Sequence, residues 1–153
     1  MNMINDLISN KSLITAAVAW LVAGFCKMIV DFIVNKKISI SRIVGAGGMP
    51  SSHTSTVVAL SIAVAYCDGV LSTTFAISII FMIIVVHDAR GVRLETGKQA
   101  EVLNKMMFES EAFKNLDFEK KLKEYVGHTP FQVLVGAIVG AIVAFFMMNV
   151  IYK

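Results

Sequence analysis

Apolar positions in this chain run in long blocks and do not alternate or keep to one helical stripe. Residues 13–34 form a block of 22 broken only by Lys27 and Asp31, residues 70–86 a charge-free 17, and residues 131–152 a charge-free 22. Blocks of this length match the hydrocarbon thickness of a bilayer. A fourth block, 53–66, is shorter and carries Thr54, Ser55, Thr56 and Ser61, which reads as a tilted or partly sunken helix. The turn Cys67-Asp68-Gly69 pairs it with the next block. The pattern predicts helices over 13–34, 53–66, 70–87 and 130–152. They form one all-α domain spanning 1–153, a polytopic membrane bundle of about four transmembrane helices. A polar segment, 88–127, precedes the last of them and is expected to be helical around 94–108 and 118–125.

Composition agrees: 56% of residues are hydrophobic. A net charge of +3 is mild and argues against nucleic acid as a partner. Cys26 and Cys67 make neither a disulfide framework nor a zinc spacing, and no carboxylate cluster is present to hold a metal. The first block lacks the basic start and small-residue cleavage site of a removed signal, so it is expected to be retained. The polar segment holds eight basic and eight acidic residues, most of them an ordinary solvated face. With four crossings, Lys36, Lys37 and Arg42 share a side with this segment. That side then holds eleven Lys and Arg, against Lys11 and Lys153 opposite. This bias places both polar loops in the cytoplasm and both termini outside.

The same parity has a chemical consequence. The second and fourth helices run in one direction, so the stretches Gly47-Gly48-Met49-Pro50-Ser51-Ser52-His53 and Gly127-His128-Thr129-Pro130 open on one membrane face. Helix N-termini offer unpaired N–H groups and a positive dipole end, which suit an anion. Lys27, about two turns before its helix ends, approaches that face from within. Asp88, Arg90 and Arg93 follow the end of the third helix on the same side.

These residues carry a resemblance. GGMPSSHTS, HDARGVRLETGKQAEVLN and GHTPFQVLVGAIVG are similar to three signatures of the divergent branch of the type-2 phosphatidic acid phosphatase and vanadium haloperoxidase superfamily. The match spans residues 27–140. Pro50, Ser51 and His53 fit one motif of that superfamily, and His128 fits the position of its nucleophile. The resemblance implies that His128 attacks phosphorus while His53 protonates the leaving group. The chain departs from the superfamily in its upstream lysine-to-arginine-proline motif, of which Lys27 is the expected remnant, and at three further positions. Ser52 stands in place of glycine, Gln132 in place of the aspartate that orients the nucleophile, and Leu122 in place of an arginine. A glutamine can orient an imidazole but cannot support its positive charge as a carboxylate does. Asp88 is the expected substitute acid. Lys27, Arg93 and Arg90, with Ser51 and Ser52, are expected to bind the phosphoryl oxygens. Gln132 and Asn104 are expected to support them. No metal and no cofactor is implied.

Blander readings stand beside these. Thr129, Pro130 and Gln132 fit a capping box, which would engage the Gln132 side chain structurally. Lys27 and Asp31 sit at i, i+4 and could be an ion pair inside the bundle, although charges within a membrane mark functional sites by default. Arg93, Gly97, Ala100 and Asn104 share one helical stripe, and Gly136 and Gly140 form a small-residue packing face. His87 reads as an interface residue. The leading function is a membrane phosphatase that cleaves a phosphate monoester or pyrophosphate from a lipid or small amphiphile. The alternatives are a non-catalytic protein binding a phosphorylated lipid or partner, and a small transport or assembly subunit.

Overall fold

The structure is a computed structural model that describes residues 3–36, 48–109, 121–122 and 127–153. Lys37, Ser41, Arg42, Gly47 and, apart from Lys121 and Leu122, the expected helix at 118–125 lie outside the described residues. Among the described residues six α-helices follow in chain order: α1 Met3–Ser9, α2 Lys11–Asn35, α3 Ser52–Asp68, α4 Thr73–Arg90, α5 Val92–Glu109 and α6 Pro130–Phe146. A π-helical turn, Met147–Ile151, closes the last helix. The described chain is all helical, as the pattern predicts.

Polar residues between the apolar blocks start the helices. The Asn10 side chain accepts from the Leu13 amide at 3.0 Å, Ser72 from Phe75 at 3.1 Å and Ser51 from Thr54 at 3.3 Å. Each satisfies a backbone donor that a helix start leaves unpaired. Three boundaries differ from expectation, the first being that α4 begins at Thr73 and not at residue 70. Short α1 precedes the first apolar block, and α4 continues through Asp88, Ala89 and Arg90, residues expected to be loop. The charges do not stop α4; it breaks at Gly91, whose amide caps the His87 carbonyl at 2.8 Å.

Among the described residues three stretches are long and apolar enough to cross a membrane: α2, α4 together with α5, and α6 with its π turn. The 17-residue α3 is the hub, packed on α2, α4 and α6. Its buried face consists of small side chains, with Ala59 and Ala63 fully enclosed. The serines that made this block look poorly hydrophobic are its attachments. Ser55 donates to the Ala19 carbonyl of α2 at 3.2 Å, and Ser61 to the Ser78 carbonyl of α4 at 3.1 Å. Gly136 and Gly140 let α6 cross α3 at backbone contact. A Cβ at Gly136 would lie 2.5 Å from the Ser51 carbonyl oxygen, and one at Gly140 would collide with that of Ser55. The small-xxx-small face is thus the α3–α6 crossing. An apolar cluster of Ala19, Ala59, Val143, Ala144 and Met147 forms the core.

Candidate functional site

Three tethers converge on the two histidine-bearing helix starts. The Ser51 amide donates to the Gln132 carbonyl at 3.1 Å, which ties the start of α3 to the first turn of α6. The His128 amide donates to the Ala89 carbonyl at 3.0 Å, which ties the start of α6 to the end of α4. Gly127 lies against the backbone of Arg93 and Leu94 so closely that a Cβ there would collide with Leu94. The His128 backbone is therefore held by α4 and α5 on one side and α6 on the other.

The tethers bring the His53 and His128 rings to 6.2 Å between centroids, tilted by 57°. His128 is buried and His53 exposed, so the pair has an inner and an outer member. Lys27 is enclosed at 2% exposure, with Nζ 3.4 Å from the Ser52 hydroxyl. Gly48, in a left-handed conformation at φ 84°, covers the Lys27 side chain. A Cβ at Gly48 would sit 3.3 Å from Lys27 Cγ, so the position combines a conformation suited to glycine with a close approach. His53 lies within electrostatic reach of Lys27, Arg93 and Asp88.

Gln132 performs two tasks that looked mutually exclusive. Its Oε1 accepts from the Thr129 amide at 3.1 Å, completing the capping box, and also lies 3.3 Å from His128 Nδ1. A backbone amide can only donate, which fixes the side-chain oxygen, not the nitrogen, toward Thr129. In the tautomer whose Nδ1–H donates to that oxygen, the neutral ring carries its lone pair on Nε2. Burial holds the His128 pKa below the usual histidine value; the Gln132 hydrogen bond opposes this shift, and the Lys27 charge adds to it. A backbone hydrogen bond to Gly48 also favours the charged form.

Other expected site residues are placed differently. Asp88 was expected to face His128 as the substitute acid. Instead it forms a 2.6 Å ion pair with Arg93, both partners partly exposed, and the Nδ1 position belongs to Gln132. Ser51 is fully buried, and its oxygen accepts from both the Thr54 amide and the Thr54 hydroxyl, so it works as a helix cap. Asn104 clamps the Leu122 backbone through both ends of its amide, at 2.9 and 2.8 Å. Gly97, Ala100 and Asn104 are the buried stripe of α5, while Arg93 on the same stripe is exposed. Arg90 lines a cavity of about 470 Å³ with Met82, Ile83, Val86, His87 and Gly91. Sequence reasoning missed Ala89, whose contribution is a backbone carbonyl that no side chain announces. It also missed the contact between Gly48 and Lys27. Among the described residues no group of three or more His, Cys, Asp or Glu could hold a metal ion.

The chain is 39% identical to the uncharacterized membrane protein YuiD of Bacillus subtilis (strain 168), over 94% of this chain and 99% of that one. No solved structure matches it. The residues that build the histidine pair and its tethers fall within 8–143, the stretch that matches the divergent PAP2 family, and the chain belongs to that family.

Proposed function

We propose that this membrane protein is a metal-independent phosphatase acting on a phosphate monoester or pyrophosphate of a lipid or small amphiphile. The observation that carries the reading is the inner histidine, held through Nδ1 by the Gln132 oxygen and 6.2 Å from the outer one. The His128 Nε2 lone pair attacks phosphorus and forms a phosphohistidine. The bond to the leaving oxygen breaks, and that oxygen takes a proton from His53. Water then attacks phosphorus, its proton passes to His53, and the P–N bond breaks to restore His128. Lys27, Arg93 and the Ser52 hydroxyl, with amides of the α3 start, stabilise the phosphoryl oxygens. Asp88 orients Arg93 and is a positioning residue. Eleven Lys and Arg on one side against two on the other support a site that faces the cytoplasm of the cell membrane.

The test is phosphate release by the purified protein from a lipid phosphate monoester and a lipid pyrophosphate. His128→Ala abolishes release, and His53→Ala lowers it by about 10²–10⁴-fold. One feature favours a second reading, a phosphate-binding protein without turnover: the partner of His128 is an amide and supplies no charge. That reading takes over if no substrate is cleaved while vanadate binds in a manner dependent on Lys27 and His128.

A further inference from the structure

The carboxyl end of α4 presents two separate faces. Asp88 and Ala89 serve the histidine site, through the Arg93 ion pair and the carbonyl that accepts from His128. Met82, Ile83, Val86, His87 and Arg90 fall on another stripe at three- and four-residue spacing. They line the cavity of about 470 Å³ in the elbow at Gly91. The stripe is apolar along the helix and ends in an imidazole and a guanidinium in its last turn. Ile83, His87 and Arg90 are exposed.

We propose that this groove binds an anionic phospholipid, with its phosphate on Arg90 and His87 and one acyl chain along Met82, Ile83 and Val86. Two observations select the occupant. Within α4, a helix apolar enough to cross a membrane, only Ser78 and Ala89 are buried, so among the described residues no other helix covers the groove, and its open side suits the bilayer. Its charge is complementary to an anion only at the end, while its walls suit hydrocarbon. A free anion leaves the walls unused, and a neutral lipid leaves Arg90 without a counter-charge. A volume of a few hundred Å³ with a few polar groups at one end is the usual form of a ligand groove. Basic residues in a last helical turn also complement the helix dipole, but that role requires no groove and selects no lipid. The site does not depend on the phosphatase reading, because none of its residues belongs to the histidine pair or its ligands.

The experiment is titration of the detergent-solubilised full chain with dioleoylphosphatidylglycerol, followed by native mass spectrometry. Dioleoylphosphatidylcholine is the neutral arm and inorganic phosphate the competitor. The anionic lipid is expected to bind about fivefold more tightly than the neutral one, the effect of one interfacial cation. Arg90→Gln removes that preference, Arg90→Lys keeps most of it, and Ile83→Trp weakens both lipids by filling the groove. Lys98→Gln, on exposed α5 surface, leaves the preference intact. The proposal is overturned if Arg90→Gln keeps the preference, if Lys98→Gln abolishes it equally, or if Ile83→Trp has no effect. Displacement of the lipid by inorganic phosphate also overturns it. His128→Ala binds lipid like the parent protein, so failure of the groove and failure of the phosphatase reading are distinguishable.

Discussion

The Gln132 oxygen joins a structural hydrogen bond to a chemical one, and its replacement separates the two. On the proposed mechanism, attack requires a neutral His128 ring, whose pKa burial holds below the ordinary histidine range. The acid limb of kcat/KM is therefore expected below that range. Gln132→Asp places a carboxylate beside Nδ1 and favours the imidazolium, so the limb moves to higher pH by about 1–3 units. A kcat/KM profile against pH reads this shift directly; an unmoved limb would deny the contact any role. Gln132→Leu removes the acceptor from both Nδ1 and Thr129, and it costs about 1 kcal/mol of stability in addition to its effect on turnover. Lys27 gives the opposite signature. Burying a cation is expensive even when it is hydrogen-bonded, and apolar replacements are often neutral or stabilising. Lys27→Met is expected to keep or raise the thermal midpoint while raising KM at least about tenfold, the loss of one charge-assisted contact. A midpoint that falls with KM unchanged would make Lys27 structural. The approach of His53, His128 and Lys27 to one another was legible, because the two histidines stand at the starts of helices that run in one direction and Lys27 interrupts an apolar span. The shared oxygen of Gln132 was not legible, since a capping box and a ring contact compete on paper and only geometry reconciles them.

At the scale of elements, the Thr129-Pro130-Gln132 start of α6 was readable from spacing alone, because the capping box is a local device. The π turn at its end and α1 carried no such signal. Arg90 and Arg93 looked equivalent, three residues apart near one helix end. The break at Gly91 sends them to different surfaces, which no periodicity anticipates. The α3–α6 crossing sets the spacing of the histidines, because both helices begin beside it. Gly136→Ala puts a methyl group against the Ser51 carbonyl, which is backbone and cannot swing aside. The variant is expected to lose about 1–3 kcal/mol and to lower turnover out of proportion, since the displaced helix carries His128. Thermal unfolding and initial rates on the same preparation check this; full activity in a destabilised variant would show that the crossing does not govern the site.

Across the whole molecule, the all-helical membrane class followed from block lengths, whereas the centrality of α3 did not. Its serines lower its apparent hydrophobicity, yet they are the residues that bond to its neighbours. Orientation belongs to this scale as well. In a background with Cys26 and Cys67 replaced, reagent added outside intact cells is expected to miss Ser41→Cys and to label Asn2→Cys. Reversed labelling would mean that the basic residues serve the pocket and leave orientation to other signals. The division between hub and periphery reaches further. On α4, Ile77, Ile80, Phe81 and Ile84 are exposed, whereas Ser78 and Ala89 make its buried contacts. Solvent preference and chemistry are thus written largely on different positions. The outer surface can be recoded with Glu, Lys and Gln while the hub is kept, giving a water-soluble form in which the proposed reaction can be tested without a bilayer.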